Sequence, residues 1–270
     1  MADFWTHYYC GKKLIENHSE LIKNKRIFYL GCQGPDIFFY KKYAVHTTPK
    51  NLGELIHKDH TKDVFYEALL HLKANYSETL LSYIVGWILH YVLDKNIHPY
   101  IDSKTDWSHK RLEANIDTYI IDKYLNKPIF RMDSKNILKV TKAHDEILGL
   151  YQLIGKKVFK HSLSKEEYVK SLNNFSRFHK IFNQKNKIKR WLILLIGKLM
   201  GKNLSIFFYH GPGEIKLPTD VHQVDFIIKE TIDETTKILE DLKRFLEDDL
   251  TIKDILENFR EINYSGIQYK

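Results

Sequence analysis

The stretch Gly86-Trp87-Ile88-Leu89-His90-Tyr91-Val92-Leu93-Asp94-Lys95-Asn96-Ile97-His98-Pro99 decides how this chain is read. His90 and Asp94 are four apart, which on an α-helix puts them one turn apart on a single face. His98 follows after another four and drifts only ~80° from His90 at about 3.6 residues per turn. Ile84, Val85, Ile88, Leu89, Val92 and Leu93 surround the stripe. A polar stripe inside an apolar helix is costly unless its groups are paired or bound to a metal. A divalent metal satisfies an imidazole and a carboxylate together.

The next segment repeats the pattern. Ser108-His109-Lys110-Arg111-Leu112-Glu113 sets His109 and Glu113 four apart on a following helix. One imidazole–carboxylate pair at this spacing is common by chance. Two on consecutive helices, with His98 between them, predict a metal site. Upstream candidates are His7, Asp36 in the turn Gly34-Pro35-Asp36, and His57 or His60. Each of these alone would read as a cap or a surface residue.

In this order, His7, Asp36, His57, His90-x3-Asp94, His98, His109-x3-Glu113, the residues resemble the bacterial zinc-dependent phospholipase C family, whose helical fold is shared with P1-type nucleases. The resemblance covers roughly Thr6 to Asp117, and Gly31-Cys32-Gln33-Gly34-Pro35-Asp36-Ile37-Phe38-Phe39-Tyr40 is similar to the family's loop around its first aspartate. It implies an all-α bundle of the phospholipase C / P1 nuclease kind and a cluster of two or three zinc ions. Asp36, His57, His90 and Asp94 would hold the first metal, and His98, His109 and Glu113 the second. His7 would hold the third, bridged to the first by Asp94. The family pattern favours His57 over His60. Secreted members expose a terminal Trp that completes the third site, whereas here Trp5 is internal. The implied reaction is hydrolysis of a phosphodiester by metal-activated water, with Asp36 accepting the proton. A phospholipid is the first substrate expected. The alternatives are a P1-type nuclease or other phosphoesterase, and a non-catalytic helical protein stabilised by metal.

Composition agrees with a helical protein. Hydrophobic residues are 43% of the 270 positions, enough for a sizeable core, and only 12 Gly and 6 Pro punctuate the chain. Cys10 and Cys32 are too few for a disulfide framework. There is no nucleophile elbow, phosphate-binding loop or Cys/His pair at useful spacing. The N-terminus lacks an apolar signal segment, so the chain is expected to be cytoplasmic. The net charge of +8 favours anionic partners, although lysine-rich composition can also reflect genome bias.

Periodicity predicts helices over 6–24, 53–76, 77–97, 108–125, 134–159, 164–175, 185–199, 221–246 and 252–260, with loops at 31–49 and 209–218. Ser77 and Ser164 read as N-caps, and Pro99 as a stop signal. No linker is visible. Residues 1–270 are expected to form one helical domain, with a metal-site half at 1–127 and a helical C-terminal half at 128–270. Lys180, Lys185, Lys187, Lys189 and Arg190 precede the run Trp191–Ile196. That segment reads first as a buried helix, with transient contact to a membrane surface as the alternative. Of the aromatic residues, Phe38, Phe39 and Tyr40 are candidates to wall a pocket. His210 is a weaker candidate to line a cleft.

Overall fold

The computed structural model describes residues 4–40, 51–139, 141–142, 144–183, 185–259 and 261–269. The chain is all-α. Twelve α-helices form among the described residues: α1 (Phe4–His18), α2 (Lys25–Gly31), α3 (Leu52–Lys58), α4 (Thr61–Ala74), α5 (Glu78–Asp102), α6 (His109–Leu125), α7 (Lys135–Leu138), α8 (His144–Phe159), α9 (Lys165–Phe182), α10 (Lys187–Leu199), α11 (Gln223–Leu246) and α12 (Ile252–Leu256). A 3-10 turn over Gly34–Tyr40 follows α2. The only extended pairing among these residues is one isolated bridge, Ile262 to Gln268.

Helix α5 is the axis. Ser77 caps it by accepting from Leu80 N at 3.0 Å, as the sequence predicts. It is apolar on every face and buried from Leu80 to Asp94, as a helix must be when neighbours surround it. Helices α1, α2, α4, α6, α8 and α11 all pack on it. The crossing with α2 is the tightest. A Cβ on Gly31 would lie 2.2 Å from Tyr83 O, and one on Gly86 would lie 2.2 Å from Phe28 O. Two glycines therefore let two helix backbones touch.

Several boundaries differ from expectation. The first predicted helix ends at His18, and the separate helix α2 was not predicted. The expected loop at 31–49 contains the 3-10 turn, and its residues 41–49 lie outside the described residues. The predicted helix 53–76 breaks in two at His60, which adopts a left-handed φ of 62° after the extended Asp59. Likewise 134–159 divides into α7 and α8. Helix α5 runs through Pro99 to Asp102, because Ile97, His98, Tyr100 and Ile101 are all buried and tertiary packing overrides the breaker. Ser164 caps α9 as expected, accepting from Glu167 N at 3.1 Å.

The largest departure is α10. The sequence predicts a core helix here, but Gly197 is its single buried residue. Periodicity marks an apolar helix without saying whether anything covers it. No helix among the described residues is long and apolar enough to cross a membrane.

Candidate metal centre

Helix α5 presents His90, Asp94 and His98 inward, and all three are buried. Three other segments bring partners to them. The Gly34–Tyr40 turn supplies Asp36, α3 supplies His57, and α6 supplies His109 and Glu113. Gly34 makes the first approach possible. It takes a φ of 47°, and a Cβ there would lie 2.4 Å from the His90 ring. Only glycine tolerates both conditions at once.

Two groups result. Asp36, His57, His90 and Asp94 form one, and His98, His109 and Glu113 form the other. Within each, one donor atom per residue lies within 4.8 Å of the rest. In the first group, His57 Nε2 is 3.0 Å from Asp36 Oδ1 and 3.7 Å from Asp94 Oδ2. His90 Nε2 is 3.6 Å from each of the same oxygens. In the second, His109 Nε2 is 3.0 Å and His98 Nε2 3.9 Å from Glu113 Oε1.

Every imidazole in the two groups is oriented from behind. The Nδ1 of His57 lies 2.8 Å from Gly53 O, that of His90 3.2 Å from Cys32 O, and that of His98 2.7 Å from Tyr264 O. His109 Nδ1 lies 2.8 Å from the Asp102 carboxylate. A carbonyl can only accept, so Nδ1 must carry the proton in the first three. On His90 the Nε2 lone pair is then left to face the carboxylates. Metal-binding histidines are fixed in this way by groups behind them.

The donor atoms themselves are stranded. Asp36 Oδ1, His57 Nε2, His90 Nε2 and both Asp94 oxygens are buried and make no hydrogen bond. Buried polar atoms are nearly always satisfied, so five in one pocket mark a place for a cation. The two imidazoles of this group differ in charge. Burial drives the His90 imidazole down to about 3, which keeps it neutral as a ligand must be. Burial also opposes charge on His57, but contact with Asp36 and Asp94 outweighs it and raises that imidazole to about 9. Burial likewise works against the Asp94 carboxylate, yet the surrounding imidazoles hold it well below the usual range. The nitrogen and oxygen donor set suits zinc.

His7 arrives from α1 and stacks on His90 at 4.4 Å between centroids. Its Nε2 is 3.2 Å from Asp94 Oδ1. No third donor joins this pair in a group among the described residues. The backbone N of Trp5 instead donates to Asp117 Oδ2 at 2.8 Å. His60 stands apart, half-exposed and paired with Asp63. Phe39 lies against His57 at 5.0 Å, whereas Phe38 and Tyr40 pack on Tyr151 and Phe175. His210 sits with Arg190 and Glu214 and belongs to neither group.

The sequence reading does not single out Asp102 behind His109, the carbonyls behind the other rings, or Asp117. Asp117 accepts from Trp5 N, Thr6 N, the Thr6 hydroxyl and the Tyr209 hydroxyl, and so anchors the start of α1. Its position four beyond Glu113 continues the α6 stripe and could have signalled it. Tyr264 gave no signal, because it contributes a carbonyl.

An all-α scaffold that gathers imidazoles and carboxylates into two groups along one buried helix defines a helical protein built around a candidate metal cluster. The sequence profile of the family described as zinc dependent phospholipase C matches residues 6–199, and the chain belongs to that family. The match spans every donor named above. No curated protein and no solved structure gave a match.

Proposed function

We propose that this protein is a zinc-dependent phosphodiesterase of phospholipase C type, with a phospholipid as its first candidate substrate. The observation that carries this reading is the pocket of stranded donors on α5, α3 and the Gly34–Tyr40 turn. Asp36, His57, His90 and Asp94 would hold one metal, and His98, His109 and Glu113 a second. His7 is the candidate to extend the cluster through Asp94 toward a third.

Divalent metal, when bound, supplies the positive charge that polarises a phosphoryl oxygen and acidifies nearby water. The chain's own residues do the rest. The backbone carbonyls behind His57, His90 and His98 fix those rings without rearrangement. Asp36 is the candidate general base, since its Oδ1 is committed to no hydrogen bond and faces the same space as two imidazoles. Phe39 shields one side of His57. Residues 1–270 are read as one domain, since a single buried cluster contains side chains from Phe4 to Tyr264.

The test is elemental analysis of metal per chain, followed by assay on phosphatidylcholine micelles and on single-stranded DNA. Two or three zinc equivalents with lipid hydrolysis support the proposal. Cleavage of DNA alone would move the protein to the nuclease branch of the same architecture. Bound zinc with no hydrolysis of either would leave a structural metal.

A further inference from the structure

Helix α10 is built like a surface that something must cover. Eight of the fourteen exposed large apolar side chains among the described residues lie between Ile188 and Met200. Ile188 is 72% exposed, Trp191 60% and Leu199 80%. A contiguous apolar patch of this kind marks an interaction site.

The helix is nevertheless fixed in place. At Gly197 it meets the turn that follows, where a Cβ would fall 2.7 Å from Leu204 Cγ. Arg190 lies over the Phe208 ring at 4.8 Å. Arg111, two positions from both His109 and Glu113, donates to the carbonyls of Ser205 and Phe208. The apolar helix is thus tied, through Arg111, to the helix that carries His109 and Glu113 of the candidate metal centre.

Charge selects the occupant. No Asp or Glu stands between Glu167 and Glu214, whereas nine Lys and Arg do. Lys187, Lys189 and Lys198 are on α10 itself and are exposed. We propose that α10 lies in the plane of an anionic lipid surface, with its aliphatic side chains among the acyl chains and its lysines reaching back to the head groups. A helix with a broad apolar face, lysines at its flanks and too little length to span is suited to that position. A second copy of the chain fits poorly, since an antiparallel pair would set lysines against lysines at both ends. Nucleic acid fits poorly as well, since the patch is mostly aliphatic and Trp191 is its single aromatic side chain, too little to stack successive bases. The choice of lipid rests in part on the phospholipase reading above. Exposure and charge alone define the surface.

The experiment is flotation of the full, metal-loaded chain with vesicles of phosphatidylcholine, with and without phosphatidylglycerol. Trp191 fluorescence is read in parallel as the difference from Trp191→Phe, because Trp5 and Trp87 are buried but Trp107 is only partly so. Wild type should float with the anionic vesicles, shift its emission to the blue, and dissociate as salt rises. Ile188→Ser/Leu195→Ser/Leu199→Ser should weaken partition about tenfold or more. Replacing Lys187, Lys189 and Lys198 by Gln should cost roughly fivefold per lysine. Both variants should keep wild-type metal content and wild-type hydrolysis of a soluble short-chain phosphodiester. The proposal is overturned if wild type ignores anionic vesicles, or if the serine variant floats unchanged. It is also overturned if the patch proves to bury itself in a dimer or to bind single-stranded DNA instead. Flotation without hydrolysis of the lipid would refute the phospholipase reading and leave the docking surface standing. Hydrolysis of the soluble substrate without flotation would do the reverse.

Discussion

The two donor groups share α5 but differ in how their charge is balanced. The first is closed. Asp94 and His90 are wholly buried, and the two carboxylates face two imidazoles with five atoms that make no hydrogen bond. The second is open and partly neutralised. His109 is exposed, its ring is already held between Asp102 and Glu113, and Lys110 Nζ sits 3.3 Å from the other Glu113 oxygen. We therefore expect the first group to hold a metal more tightly than the second. The difference shows that donors on one helix can differ in burial and in the charged neighbours that offset them.

The sharpest way to break this contrast is His90→Ala. It should remove the metal of the first group and reduce hydrolysis to background, measured by elemental analysis and turnover. Full metal content in this variant would end the case for the closed site. Asp36→Asn comes next, with most metal retained and turnover lower by about a hundredfold, as expected for loss of a general base. Unchanged turnover would make Asp36 structural. His109→Ala should release one equivalent and leave the closed site loaded, and a chelator titration of wild type should empty the second group first. Loss of both equivalents together would show one cooperative cluster rather than two sites. Asp102→Asn loosens His109 from behind and should weaken the second site by about tenfold.

A smaller effect separates metal from scaffold. Burial drives His144, hydrogen-bonded to the Tyr168 hydroxyl at 3.0 Å, down to about 4. The folded state resists protonating this ring while the unfolded chain does not. Its contribution to stability is therefore present above pH 6.5, the ordinary histidine value, and is lost as pH falls toward about 4. His144→Asn should flatten the urea-midpoint profile over that window and leave metal content alone. An unaltered slope would assign acid sensitivity to the donor groups instead.

Much of the centre was legible because its donors lie on helices at four-residue spacing. His90, Asp94, His109 and Glu113 announce themselves in that way, and His57 emerges beside Asp36 where the family order expects it. What stayed hidden was hidden for physical reasons. Helix α2 and the turn after it are too short for periodicity to register. The break at His60 uses a left-handed histidine, where a sequence reader looks for glycine. The carbonyls of Cys32, Gly53 and Tyr264 that orient the rings carry no residue-type signal. The apolar run of α10 was read as core because hydropathy cannot tell a covered face from a bare one.

The contact between Gly31 and Gly86 reaches further than packing. Helix α2 leads directly into the turn that delivers Asp36, so the spacing of those two backbones acts as a gauge block for the distance from Asp36 to His90. An added methyl at either glycine would pry the helices apart and carry the carboxylate off its mark. A mutational scan read out by activity would then score two residues with no chemistry of their own as if they were catalytic. Any drift that keeps the reaction must keep that gap.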